Sequence, residues 1–198
     1  SEPIRSFLLQ TAILDRFCAT LCNAVTERED GKEMLDILER SNLFLIPLDD
    51  KRQWYRYHHL FQELLQRKLL GEVGPAQVAE LHRRAAAWFA GEGLLDEALR
   101  HALAINDLDL TAQLMVAGLC DVLNREDRAT LDRWLRLLPD EFIQRHPWLL
   151  MIKAYAFQFS YQLPAVWKLL DQIDAQMGRN EFGRSHPFHE RHARLRRL

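Results

Sequence analysis

Two adjacent histidines, His58 and His59, are the residues whose types and positions most clearly suggest a binding function. They follow an aromatic and cationic run at residues 54–57 and precede an apolar helical pattern, which predicts a strand-to-helix junction. The start of a helix exposes free backbone N–H groups, and an imidazole beside them can donate a hydrogen bond to a phosphate. Anion sensing is therefore one interpretation of this junction.

A structural interpretation of the same residues competes with anion sensing. Tyr57, Leu60 and Phe61 would then fill the core, while one histidine caps the helix and the other faces solvent. The spacing alone favours this interpretation, because apolar residues at helical spacing usually pack in a core.

The rest of the sequence contains no catalytic motif. It also contains no motif with which this chain could bind a nucleotide by itself. It contains no G-x-x-x-x-G-K-[ST] loop, no G-x-G-x-x-G, no H-E-x-x-H and no paired C-x-x-C. Cys18 and Cys22 share a predicted helix face, and we expect them and Cys120 to be buried as small apolar side chains. We therefore expect no metal site and no enzymatic activity.

The amino-acid composition is that of a folded globular protein. The 198 residues include 26 Lys and Arg against 28 Asp and Glu, a net charge of -2, and 48% are apolar. Such a chain can bury a core, which excludes disorder for most of its length. The sequence has no transmembrane run and no signal-peptide pattern, and its three cysteines do not suggest a disulfide framework. We expect a cytoplasmic protein without membrane contact.

A mostly α-helical chain with two kinds of unit is predicted from the hydrophobic periods. Residues 1–74 read as three helices, a β-hairpin and a further helix, which together form a winged-helix-like domain. The second helix is predicted from Phe17 to Val25. The hairpin is predicted from two strand-like runs, residues 43–46 and 54–57, on either side of a polar turn at residues 49–52, and the next helix is predicted from His59 to Leu70. Glycines and a proline near residue 74 mark the boundary.

Residues 75–177 read as tetratricopeptide-like antiparallel helical repeats, and residues 178–198 as a basic tail or a truncated next helix. Four tryptophans in the helices, expected to lie mostly in the core, could stack on a sugar-like ligand where exposed: Trp88, Trp134, Trp148 and Trp167.

Charge argues against direct DNA contact by the winged-helix unit. Its third helix, residues 31–42, would be the recognition helix, yet it carries two basic side chains against three acidic ones. The DNA phosphates would repel a net-negative helix.

Several segments together resemble one protein family. They are residues 7–9 (FLL), 13–16 (ILDR), 21–26 (LCNAVT), 38–49 (LERSNLFLIPLD) and 54–61 (WYRYHHLF). This set is similar to the large ATP-dependent LuxR-family transcriptional regulators, the MalT-like proteins of the signal-transducing NTPase (STAND) class. The resemblance is close over residues 3–105 and looser in the later helices.

The resemblance implies a place in a longer protein. In that family a P-loop ATPase domain precedes the winged helix, and helical repeats and a C-terminal DNA-binding domain follow it. This chain would correspond to the middle of such a protein. The ATPase and DNA-binding domains would be its partners, and a small-molecule inducer or a regulatory protein would bind the repeats.

The same resemblance assigns His58 a candidate role. Related NTPase switches carry a Met-His-Asp-Leu-Leu motif whose histidine approaches the phosphates of the bound nucleotide. It aligns with residues 57–61 here, so His58 is the candidate sensor of ATP or ADP in the full-length protein, with Arg56 and His59 as further cofactor-binding candidates. His59 replaces the aspartate of the motif. The alternative function is a protein-interaction scaffold whose winged helix is purely structural.

Overall fold

The computed structural model describes residues 2–41, 44–177 and 187–197 of the chain. Helices dominate these ranges, with a single β-hairpin, as predicted from the sequence. The described residues fall into two compact units, Ser1–Asp107 and Leu108–Leu198. No helix in the described ranges is both long and apolar enough to span a bilayer.

The first unit contains the predicted helix-and-hairpin arrangement followed by two more helices. Its elements are α1 (Glu2–Thr11), α2 (Ala19–Thr26), α3 (Gly31–Arg40), β1 (Leu45–Pro47), β2 (Tyr55–Tyr57), α4 (His59–Glu72), α5 (Pro75–Gly91) and α6 (Leu95–Ala104). Helix α5 packs against both α6 and α2, so the helical hairpin lies on the preceding elements. The domain boundary at residue 74 stays a prediction.

The β-hairpin forms with the predicted turn. Strands β1 and β2 pair antiparallel, with Leu45 opposite Tyr57. The carboxylate of Asp49 closes the turn by accepting hydrogen bonds from the backbone N–H groups of Gln53 at 3.0 Å and Trp54 at 2.8 Å. These bonds hold the pKa of Asp49 below its usual value. Leu43, predicted to begin the first strand, lies outside the described residues.

The prediction that the second helix begins at Phe17 was wrong. The N–H and C=O of Phe17 both pair with the backbone of Tyr55, each at 2.8 Å, so Phe17 adds an antiparallel bridge to the hairpin. Its buried ring lies 4.6 Å from that of Tyr57. A single bridging residue produces no hydrophobic period of its own. Phe17 was therefore assigned to the helical pattern that follows it, and the predicted helix began two residues before α2 does.

Glycine at the start of α3 allows that helix to approach α2. The N–H of Gly31 donates to Asn23 Oδ1 at 2.7 Å. A Cβ on Gly31 would lie 2.4 Å from Asn23 Oδ1 and 2.6 Å from the carbonyl oxygen of Ala19. Any larger residue would therefore force the two helices apart.

The second unit is helical throughout its described residues and is organised around a buried helix. Its elements are α7 (Leu108–Asn124), α8 (Arg128–Leu135), α9 (Asp140–Arg145), α10 (Pro147–Phe159), α11 (Leu163–Met177) and α12 (Pro187–Arg196). Helix α10 packs against α7, α8, α9 and α11, which explains its apolar residues on nearly every side. The short helix α9 was not predicted, and α12 lies within the segment predicted as a tail or a next helix.

One type of turn recurs between the helices of both units. Gly93, Asn106, Glu126 and Tyr161 all have a left-handed backbone, with φ between 53° and 73°. At each turn the N–H of the following residue reaches back five residues to a helix carbonyl, as Leu94 does to Phe89 at 2.8 Å. This is the Schellman helix ending. The turns at residues 93, 126 and 161, each within a pair of helices, are 33 and 35 residues apart.

Two histidines form a hydrogen bond between α5 and α6. The Nδ1 atoms of His82 and His101 lie 2.9 Å apart, so one ring donates to the other. The ring of His101 also stacks on that of Phe89, with centroids 5.5 Å apart. Burial lowers the pKa of both histidines, and the charges of His82 and Arg100 contribute to bringing that of His101 to about 4.

The left-handed turn predicts opposite effects of alanine at two glycines. Gly93→Ala should lower the free energy of unfolding by about 1 kcal/mol, because a Cβ is disfavoured at φ 73° even with open space around it. Gly91→Ala should raise stability by up to about 1 kcal/mol, because Gly91 is helical with no atom within 4 Å of its Cβ position. Urea unfolding of both variants measures the difference, and equal effects would contradict the turn geometry.

The histidine pair predicts that stability falls in mild acid. An unfolded histidine titrates near pH 6.5, whereas His101 in the fold has a pKa of about 4. Between these values the unfolded chain binds more protons, so stability is lost as the pH falls from about 6.5 towards 4. We expect a loss of about 1–2 kcal/mol between pH 7 and pH 5 from His101. In His101→Gln this slope should shrink in urea unfolding at matched pH values, and an unchanged slope would refute the assignment.

Candidate functional site

His58 lies at the junction between β2 and α4, as predicted from the sequence. It occupies the N-cap position of α4, but its side chain makes no capping hydrogen bond. Its backbone N–H donates to the carbonyl oxygen of Phe44 at 2.8 Å, and its own carbonyl accepts the N–H of Gln62 at 2.9 Å. The backbone is thus fixed at both ends of the residue, while the half-buried imidazole is not used to cap the helix.

Buried aromatic side chains fix the strand that leads into His58. Tyr55 and Tyr57 are each 1% exposed, with Arg56 pointing to solvent between them. The hydroxyl of Tyr57 is 2.7 Å from Thr11 Oγ1, which in turn donates to the carbonyl oxygen of Phe7 at 2.7 Å. Burial raises the pKa of Tyr57, so its hydroxyl remains protonated.

Two glutamines fix the helix that follows His58. Gln62 Nε2 donates to the carbonyl oxygens of Ala12 at 3.1 Å and Leu14 at 2.9 Å. One turn later, Gln66 Nε2 donates to Ala12 at 3.0 Å. These bonds tie α4 to the segment after α1 and satisfy carbonyl groups beyond a helix end. The N-terminus of α4 therefore has a defined direction.

An exposed apolar face lies beside the junction. The side chains of Leu60 and Leu64, one turn apart on α4, are 63% and 50% exposed, and Phe44 is 59% exposed. The Phe44 ring lies 5.1 Å from that of Phe61, and its left-handed backbone, with φ 52°, is a costly conformation for an aromatic residue. We call Phe44, Leu60 and Leu64 the α4 face.

The structure agrees with the structural interpretation of residues 57–61 only in part. Tyr57 is buried as the structural interpretation requires, but Leu60 is exposed and His58 does not cap the helix through its side chain. The α4 face was not predicted from the sequence. One signal was available, since buried Leu65 and Leu69 already fill one side of α4, and Leu60 and Leu64 fall on the other side.

One of the two further candidates, His59, lies against His58. The ring of His59 is 4.6 Å from that of His58, at an angle of 33°. Both His59 and Arg56 are exposed. Helix α4 thus begins with free backbone N–H groups beside two imidazoles, and these donors suit an anion.

The predicted burial of all three cysteines was partly wrong. Cys22 is fully buried, and burial raises the pKa of its thiol, but Cys18 is half-buried and Cys120 is exposed. Cys120 lies on the solvent side of α7. Its exposure was not predicted because most residues of that helix are apolar, so the sequence does not mark a solvent side. In the described ranges, no three His, Cys, Asp or Glu side chains are grouped so that they could hold a metal ion.

The expectation that most of the four tryptophans lie in the core was also wrong. Trp134 is 1% exposed, whereas Trp88 and Trp148 are half-buried and Trp167 is 47% exposed. Helical spacing indicates the side of a helix that faces the core, but a large indole often reaches past the edge of that side.

Comparisons with known proteins agree with this architecture. Residues 1–78 match the family described as the MalT winged helix domain. A protein of Vibrio campbellii named HTH-type transcriptional regulator MalT is 33% identical over 175 residues, which is 88% of this chain and 19% of that protein. A Vibrio parahaemolyticus protein of the same name is 31% identical over 172 residues, which is 87% of this chain and 19% of that protein.

These matches cover most of the chain but only a small part of each relative. The chain spans about a fifth of the length of the curated relatives it matches, since it covers 19% of each. The matched family model ends at residue 78, just after α4, so it includes the bridge at Phe17, the β-hairpin and the junction at His58. Over most of its length the chain is therefore similar to the MalT regulators, and residues 1–78 match the MalT winged helix domain family.

Proposed function

We propose that this chain is a regulatory segment of a MalT-like ATP-dependent transcriptional activator of the LuxR family and the STAND class. The winged helix domain would report the nucleotide state of an ATPase domain, and the helices that follow would sense an effector. The observation that carries this proposal is the position of His58. Its imidazole lies at a rigid helix start, makes no capping bond and lies beside the exposed α4 face.

The α4 face gives the winged helix a surface for docking. Burying Leu60 and Leu64 against an ATPase domain would remove apolar area from water, at roughly 25 cal/mol per Å². The same contact would bring His58, with Arg56 and His59 nearby, towards the phosphates of bound ADP. An inducer would then act by favouring the undocked state, to the extent that it binds that state more tightly.

The helices after α4 are proposed to be tetratricopeptide-like repeats that receive the effector. The spacing of 33 and 35 residues between their turns is close to the period of 34 typical of such repeats. Stacked helical pairs form a concave surface that suits a small-molecule inducer or a regulatory protein. The partly exposed Trp148 and Trp167 offer rings for a sugar-like ligand.

The segment would act without enzymatic chemistry of its own. In this proposal ATP and ADP are bound by the ATPase domain, and DNA is bound by the C-terminal domain rather than by this segment. Helix α3, which would be the recognition helix, carries two basic side chains against three acidic ones, and this net negative charge disfavours contact with the phosphates along DNA. A cytoplasmic location follows from the proposed role.

The sensor role predicts a specific effect of His58→Ala in the full-length regulator. Loss of a hydrogen bond to a charged phosphate costs about 1.5–3 kcal/mol, so ADP should dissociate about 10- to 100-fold faster. Basal transcription should rise, because the docked state is weakened. His59→Ala is the matched control and should have the smaller effect on both. Stopped-flow release of a fluorescent ADP and a reporter assay without inducer measure the two effects.

Unchanged ADP release and unchanged basal transcription in His58→Ala would reject the sensor role. The result would then favour an interaction scaffold with a purely structural winged helix. Thermal unfolding should show both histidine variants within about 2 °C of the wild type, because neither side chain fills the core.

The docking surface predicts that one leucine of α4 matters for regulation and another does not. Leu64→Ser should raise basal transcription and speed ADP release, because it removes apolar contact from the docked state. Leu70→Ser is chemically the same change at a residue 68% exposed on a different side of α4, and it should leave both unchanged. Equal effects of the two variants would contradict docking through the α4 face.

A further inference from the structure

A groove in the first unit is not used by the proposed docking of the winged helix. It lies among the start of α2, α3, the turn of the hairpin and the C-terminal end of α5, and its volume is about 530 Å³. Pockets for small molecules commonly measure about 300–1,000 Å³. The groove is therefore large enough for a compact ligand.

Two indoles line the groove. The ring centroids of Trp54 and Trp88 are 6.1 Å apart, and the ring planes meet at 70°. The guanidinium of Arg16 lies over the Trp54 ring, 4.9 Å from its centroid, and Trp88 also contacts Phe89 edge-on at 5.3 Å. These contacts hold both rings in place. Partly exposed indoles held rigidly offer contact to a flat ring at a low cost in conformational entropy.

The charged residues that line the groove are mostly cationic. Lys32, Lys51 and Arg52 contribute three positive charges, and Glu92 is the acidic residue among the described lining residues. The net charge of the lining is therefore about +2. A phosphate monoester carries about -1.5 to -2 near pH 7, which matches this charge better than a single carboxylate does.

The ion pairs already present do not block an anion from the groove. Lys32 pairs with Asp36 and Arg52 with Glu39, but neither carboxylate lines the groove. The two cations are 68% and 64% exposed in their side chains. Exposed pairs of this kind contribute roughly 0–1 kcal/mol, so both cations can turn towards a phosphate at little cost.

We propose that this groove binds a small phosphate monoester that carries a flat ring. The ring would pack against the indoles of Trp54 and Trp88, and the phosphate would interact with Lys32, Lys51 and Arg52. The site is independent of the junction at His58, because it is built from the opposite strand end and from α5.

Phenyl phosphate is the probe that tests this site on the 198-residue chain. A saturable change of tryptophan fluorescence should give a dissociation constant on the order of 1 mM, as expected for so small a ligand. Inorganic phosphate provides the charge without the ring, and phenol the ring without the charge. Each should bind at least about 10-fold more weakly. No saturable binding, or equal binding of phenyl phosphate and phosphate, would overturn the proposal.

Reversing the charge of a single lysine tests whether phenyl phosphate binds in the groove. Lys51→Glu should weaken phenyl phosphate binding about 10-fold or more, because it reverses one of three cations in the groove. Lys68→Glu makes the same change at an exposed residue of α4 outside the groove and should leave the affinity within about twofold. Both residues are on the surface, so neither change should affect folding. Equal weakening by the two variants would indicate nonspecific attraction and refute the site.

Cys18 provides a readout at the groove itself. Its half-buried thiol lines the groove, while Cys22 is fully buried. In a Cys120→Ser background, saturating phenyl phosphate should slow alkylation of Cys18 by iodoacetamide about threefold or more. In the Lys51→Glu variant this protection should be clearly smaller at the same ligand concentration. Alkylation at an unchanged rate would show that the ligand does not occupy the groove.

Discussion

The backbone pairing of Phe17 with Tyr55 is the interaction on which the first unit depends. Its two hydrogen bonds, each 2.8 Å long, join the segment before α2 to the hairpin, which would otherwise be a two-stranded ribbon of three residues a strand. Such a ribbon is marginal in water on its own. The bridge holds Tyr55 and Tyr57 in the core, and through them it fixes the position at which α4 begins.

Rigidity at this point would allow the imidazole of His58 to act as the proposed sensor. A hydrogen bond to a phosphate distinguishes two states only if the donor does not follow the phosphate when the neighbouring domain moves. His58 meets this condition through its own backbone bonds and through the anchoring of α4 by Gln62 and Gln66. In the proposed function, the exposed α4 face beside it would supply the other half of a bistable contact, because this apolar surface would be covered in one state and open in the other.

Local patterns were sufficient to predict most of the elements. The hydrophobic periods predicted most of the helices, and the aromatic run and the acidic turn predicted the hairpin. The predicted start of the helix after the hairpin, His59, is the first residue of α4. The bridge at Phe17 was missed because one residue has no period. The exposure of Leu60, Trp167 and Cys120 was missed because it depends on which neighbours cover each side of a helix, and a hydrophobic period does not contain that information. The groove beside Trp54 and Trp88 was not predicted either, because the residues that line it come from four separate parts of the chain.

The central claim is that the junction at His58 and the α4 face are covered when ADP is bound and uncovered in the active state. Hydrogen–deuterium exchange of the full-length regulator tests this claim most directly. With ADP, amides of residues 58–64 should exchange more slowly than with ATP and inducer, while amides of the hairpin core at residues 55–57 exchange equally in both states. Equal exchange of residues 58–64 in the two states would contradict the account.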